Sequence, residues 1–127
     1  MNGIKLAFDT CAVINLIDQR CDLHSQGINV DEAQLLTSVI VRMELLSKRN
    51  MTDGEKQDIL KFLDALMVVP LNDAIEQKAI DVRSTTSLKL PDSIIVATAI
   101  VLDAILLTDD TELLALSLPG LRTQKVF

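Results

Sequence analysis

The apolar positions of this chain follow two periods. Short β-type runs occur at residues 4–8 (IKLAF), 35–37, 67–69 and 104–107 (AILL), stopping at Asp9, Ser38, Pro70 and Thr108. Runs this short suit buried parallel strands better than helices. Between them the apolar residues recur at helical spacing. Ala12, Val13, Leu16 and Ile17 define a helix capped by Asp9 or Thr10, and Ser38 caps a second over residues 39–48 (VIVRMELLSK). Thr52 and Glu55 form a capping box that opens a helix to about residue 66, with Ile59, Leu60, Leu63 and Leu66 inward. Asn72 caps a helix through Arg83, with Ile75, Ala79 and Val82 inward. Pro91 suits the first position of the next helix, where its missing N–H would be unpaired anyway, and Asp92 meets the helix dipole. Residues 94–102 are apolar almost all round, so this helix should be buried. Asp109 and Glu112 read as a capping box for a last helix over 111–116. Residues 18–34 read as a polar loop with a short strand at 28–30, residues 84–89 as a polar loop and 121–127 as an edge strand. Strands alternating with helices predict an α/β fold with a doubly wound, mainly parallel sheet.

Composition narrows the chemistry. A length of 127 residues predicts a single domain spanning 1–127, able to bury roughly two-thirds of its unfolded surface. The net charge of −6 weighs against sequence-blind nucleic-acid binding, which depends on phosphate neutralisation. Three Phe with no Trp or Tyr make no base-stacking platform. A nucleic acid would have to be met through metal ions or a few local cations, for which Arg42, Lys48, Arg49 and Lys89 are the candidates. Cys11 and Cys21 lack a metal-ligand spacing and His24 is the one histidine, so zinc, Cys–His and Ser–His chemistry are poorly supported. The opening MNGIKLAFD does not read as a signal peptide, and residues 94–102 are half a membrane span, which predicts a soluble, cytoplasmic protein.

The acids form the remaining pattern. Asp9 follows the first strand, and Asp109 and Asp110 follow the strand at 104–107. Sites in open α/β sheets form beyond the carboxyl ends of strands. Glu44 lies in mid-helix among Ile40, Val41, Met43, Leu45 and Leu46, which leave a narrow polar stripe, and Asp92 lies at a helix start. Each acid alone has a plain structural role as cap, dipole partner or solvated side chain. Four carboxylates together repel, and hard divalent cations such as Mg²⁺ or Mn²⁺ relieve that repulsion.

The motifs FDT, VIVRMELLSK, LPDSIIVATAI and LLTDDTELL, in that order, resemble those of the PIN-domain nucleases. The small size and the ending LPGLRTQKVF are most similar to the VapC-type ribonuclease toxins of toxin–antitoxin systems. The resemblance implies a PIN-like three-layer sandwich, with a mainly parallel central sheet flanked by helices. It also implies an endoribonuclease dependent on Mg²⁺ or Mn²⁺, a cognate antitoxin that covers the site, and a homodimer. Carried over by residue, Asp9, Glu44, Asp92 and Asp110 match the catalytic metal-binding acids, with Thr10 and Thr108 as auxiliary hydroxyls. Cys11 stands where the family often has Ser or Asn, and Asp109 where it often has Arg or Asn. On this reading Asp110 is the metal-site acid and Asp109 a cap or auxiliary ligand.

Two other readings compete. LAFDT, LLTS and LLTDD partly fit a phosphatase of the haloacid-dehalogenase type, but Cys11 occupies the place of its second acid and no position for its Lys is clear. A PIN-like interaction module without catalysis is the other, and the presence of all four acids speaks against it.

Overall fold

A computed structural model describes residues 3–18 and 30–126 of the chain. Five strands, β1 (Lys5–Phe8), β2 (Gln34–Ser38), β3 (Met67–Val69), β4 (Ile105–Leu107) and β5 (Arg122–Gln124), form one sheet. The order is β3-β2-β1-β4-β5 and every pairing is parallel. Helices α1 (Thr10–Ile17), α2 (Val39–Leu46), α3 (Asp53–Asp64), α4 (Asp73–Thr85), α5 (Leu90–Val101) and α6 (Thr111–Leu114) fill the connections. This is the parallel, helix-flanked α/β sheet expected from the alternating periods.

Local chemistry accounts for the helix starts. The Asp9 carboxylate accepts from Ala12 N at 2.7 Å, and Ser38 Oγ accepts from Ile40 N at 3.1 Å. The Thr52–Glu55 capping box is formed in both directions, and Asn72 Oδ1 accepts from Ile75 N at 2.9 Å. Helix α5 has no side-chain cap and begins with Pro91 in its first turn. At the last helix the expectation needs correcting. Asp110, not Asp109, is the N-cap, accepting from the backbone N–H of Glu112 and Leu113, and α6 ends at Leu114. Thr108 Oγ1 accepts from Asp110 N at 3.0 Å, so a side-chain turn holds the chain extended for one more residue before the helix starts. The loop expected over residues 18–34 falls largely outside the described residues, as do Cys21, His24 and most of the short strand expected at 28–30; Val30–Glu32 is a 3-10 turn.

The core lies between the sheet and its helices. Phe8, Leu6, Leu36, Leu106 and Val96 are fully buried, and Phe8 meets Phe62 edge to face at 5.8 Å. Truncating a buried Phe such as Phe8 costs about 3–5 kcal/mol. Helix α5 is buried from Ser93 to Ala99, as its apolar run predicted. Its two buried hydroxyls turn back on the helix, Ser93 donating to Lys89 O and Thr98 to Ile94 O. Among the described residues no helix is long and apolar enough to cross a membrane.

The strand order determines where a site can form. From β1 the chain moves outward to β2 and β3, then returns to lay β4 and β5 on the other side. The reversal falls between β1 and β4, and a crevice opens at the carboxyl ends of such neighbours.

Candidate metal centre

Register brings the first two site residues together. Phe8 pairs with Leu107, so Asp9 and Thr108 are the next residues on adjacent strands. Asp9 N donates to Leu107 O at 3.2 Å, and the Thr108 hydroxyl donates to Asp9 Oδ2. Asp9 is only 4% exposed and Thr108 is fully buried. Burial therefore dominates the Asp9 carboxyl, raising its pKa to about 6 from 3.8. The Thr108 and Ala12 hydrogen bonds oppose that rise, and the charges of Asp110 and Asp109 add to it.

The other acids arrive from two helices and a turn. Asp92, half-buried in the first turn of α5, is also raised, first by desolvation and then by the carboxylates of Asp110, Glu44 and Glu112; nearby Lys89 acts against them. Glu44 reaches the same end of the sheet from α2. It is exposed, and Thr10 Oγ1 donates to its Oε1 at 2.7 Å. The polar stripe of α2 is wider than its pattern suggested, because Arg42 and Met43 are exposed as well, Met43 by 60%. Helix α2 covers the core with Val41 and Leu45, flanks it with the partly buried Ile40 and Leu46, and leaves Arg42, Met43 and Glu44 to solvent.

Asp109 and Asp110 part company at the end of β4. Asp110 caps α6 through Oδ1 alone. Asp109 faces elsewhere: Asn15 Nδ2 donates to its Oδ2 at 2.6 Å and Val126 N to its Oδ1 at 3.0 Å. Asn15 was not singled out from the sequence. Its signal was there, as the one amide in the apolar helix TCAVINLI. Cys11 is exposed in the first turn of α1, and partial burial followed by the charges of Asp9, Asp109 and Asp110 pushes its thiol pKa up. That disfavours a reactive thiolate.

The donor set suits a hard cation. Asp9, Glu44, Asp92 and Asp110 offer carboxylate oxygens, and among the described residues none of the four forms an ion pair with Lys or Arg. Of the candidate phosphate contacts, Lys48 is paired with Glu55 at 3.1 Å, while Arg42, Arg49 and Lys89 are exposed. Among the described residues no three acids already close on one point as a finished metal cage. Clustered, mutually repelling carboxylates, with Asp9 buried, Asp92 and Asp110 partly buried and Glu44 at the surface, are what Mg²⁺ or Mn²⁺ binds, retaining waters in the remaining positions.

Known proteins share this fold. The fold is similar to that of VapBC2 from Rickettsia felis, bound to a promoter DNA fragment, with a TM-score of 0.79 at 18% identity over 96% of this chain and 98% of that one. A toxin–antitoxin complex from Klebsiella pneumoniae is similar at 27% identity and a TM-score of 0.72, over 91% of this chain and 94% of its own. VapBC-1 from nontypeable Haemophilus influenzae is similar at 19% identity and a TM-score of 0.77, over 96% and 98%. No curated protein matches the chain by sequence. The PIN domain family model matches residues 6–117, which include all four acids and the strand pair that carries Asp9 and Thr108. The chain belongs to the PIN domain family.

Proposed function

We propose that this chain is a metal-dependent endoribonuclease, the toxin of a toxin–antitoxin pair, which hydrolyses RNA phosphodiester bonds. The observation that carries the reading is Asp9. It is a carboxylate buried at the switch point of a parallel sheet, raised in pKa by burial and beside further acids. Uncompensated charge in such a place is costly as structure, and pKa perturbation of this kind clusters at functional sites.

Asp9, Asp92, Asp110 and Glu44 would hold Mg²⁺ or Mn²⁺, which supplies an activated water and a positive charge for the phosphate oxygens. The protein's part is positioning. Thr108 fixes the orientation of Asp9, Thr10 fixes Glu44, and the α6 cap fixes Asp110. The start of α5 brings its positive dipole end to Asp92. With few aromatics, the protein would select RNA by shape and backbone contacts, with Arg42, Arg49 and Lys89 available at the surface.

A groove lined by Ile14, Ile17, Leu45 and Ile59 runs between α1, α2 and α3 from Thr10 and Glu44. That apolar seat beside the acids supports an antitoxin that covers the site. On α4 and α5 and before them, Leu71, Ile80 and Leu90 are exposed around a second groove, which supports a homodimer. The toxin would act in the cytoplasm, where its RNA is.

The test is cellular RNA end-mapping after brief induced expression, with wild type beside Asp9→Asn. New ends at a few sites, absent in the variant, are the expected result. Identical end profiles in both strains, with protein present, would favour the module without catalysis.

A further inference from the structure

We infer that Asp109 is a positioning residue and not a cation ligand: with Asn15 it latches helix α1 and the C-terminal tail onto the end of β4. The inference rests on the proposed metal site for its effect on the reaction, but the latch itself does not depend on that reading.

Two adjacent acids end the same strand and are built differently. On an extended segment neighbouring side chains point to opposite sides. Asp110 takes its two backbone hydrogen bonds on Oδ1, which leaves Oδ2 for a cation. Both oxygens of Asp109 already face N–H donors, the Asn15 amide at 2.6 Å and Val126 N at 3.0 Å. The donors come from 94 residues upstream and 17 downstream, so one carboxylate joins the first helix, the last central strand and the tail.

The tail is well placed for this. Gln124 O accepts from Thr108 N at 3.0 Å, and Val126 is fully buried two residues later. Turning Asp109 towards a cation would strand the Asn15 amide and the Val126 N–H in a part-buried place, and unpaired donors there are costly. Hydrogen bonds to a carboxylate are also shorter and stronger than neutral ones. Thr108 and Asp110 flank Asp109 directly, so whatever holds it also holds the hydroxyl on Asp9 and the cap of α6.

The experiment uses the full chain as wild type, D109N, D109A, N15A, N15A/D109A and D110N. Mn²⁺ binding is measured by calorimetry, RNA cleavage on the mapped substrate, and metal-free stability by urea unfolding. D109A and N15A are expected to weaken Mn²⁺ binding or cleavage by about 10–100-fold. D109N still accepts from Val126 N and can pair with a turned Asn15, so it should stay close to wild type. D110N should lose Mn²⁺ binding. In unfolding, N15A and D109A should be clearly non-additive. D109N as damaging to Mn²⁺ binding as D110N would make Asp109 a ligand and overturn the inference. Additive unfolding effects would remove the latch. If wild type neither binds Mn²⁺ nor cuts RNA, the nuclease reading fails, and the unfolding cycle alone decides the latch. If D109A does not fold, N15A weakened with D109N intact supports the inference, and the reverse overturns it.

Discussion

The two ends of the same sheet both collect acids, and they differ in almost every other respect. At the amino end Asp31, Glu32 and Asp103 line a polar recess with Lys5 and Gln34. Arg122 lies there too, its Nη2 donating to Asp103 Oδ1 at 3.1 Å and to the Asp103 carbonyl at 3.0 Å. These acids are exposed, so water and nearby cations meet their charge. At the carboxyl end Asp9 is 4% exposed and has a hydroxyl and a backbone N–H for company. Acid count does not separate the two ends. Burial without a protein cation does.

The largest expected contrast is in activity. Asp92→Asn should slow single-turnover RNA cleavage by about a hundredfold or more, while Asp31→Asn at the other end should leave the rate alone. Equal rates for both variants would erase the distinction. Metal binding comes next. Against an EDTA-treated baseline, Mn²⁺ at a thousand times its dissociation constant should add about 4 kcal/mol of stability. The matching rise in melting temperature should vanish in Asp110→Asn.

Acidity sharpens the comparison further. The Asp9 pKa is about 6 folded against 3.8 unfolded, so the native state binds that proton more tightly. This contribution is fully present below pH 3.8 and is lost as pH rises through about 6. Metal-free protein should therefore lose on the order of 2–3 kcal/mol from this group between about pH 4 and 7. Asp9→Asn should flatten that part of the profile in thermal melts taken across the pH range. The smallest effect belongs to the amino end, where Arg122→Ala breaks an exposed ion pair and should cost about 1 kcal/mol or less by urea unfolding.

What could be read from the sequence was what is decided locally. The apolar runs became β1 to β4, and Thr52–Glu55, Asn72 and Ser38 capped the helices their spacing implied. Asp9, Asp109 and Asp110 could be placed at carboxyl ends of parallel strands, but that β1 lies beside β4, so that Asp9 meets Thr108, is set by long-range strand pairing with no local signal. The neighbouring Asp109 and Asp110 could not be told apart. Their roles depend on Asn15 and on the backbone of Val126, which have no local signature at the acids themselves. Met43 misled for a related reason. An apolar side chain in a helix faces the core only if something packs on that side, and on α2 nothing among the described residues buries it.

The placement of β4 also has a consequence in time. That strand lies between β1 and β5, so the slot beside the first strand is filled by residues 105–107, which follow it by about a hundred residues, and only then can β5 add outside it. During synthesis Asp9 leaves the ribosome 99 residues ahead of Thr108, and Asp110 and the buried Val126 follow later still. Domains fold as synthesis delivers their parts, and pairings between distant segments form late. A nascent chain that has not reached β4 therefore has Asp9, Glu44 and Asp92 but lacks Thr108, which holds Asp9, and Asp110. The acid cluster is thus assembled by a late pairing, and the first strand waits for the fourth to complete the site it began.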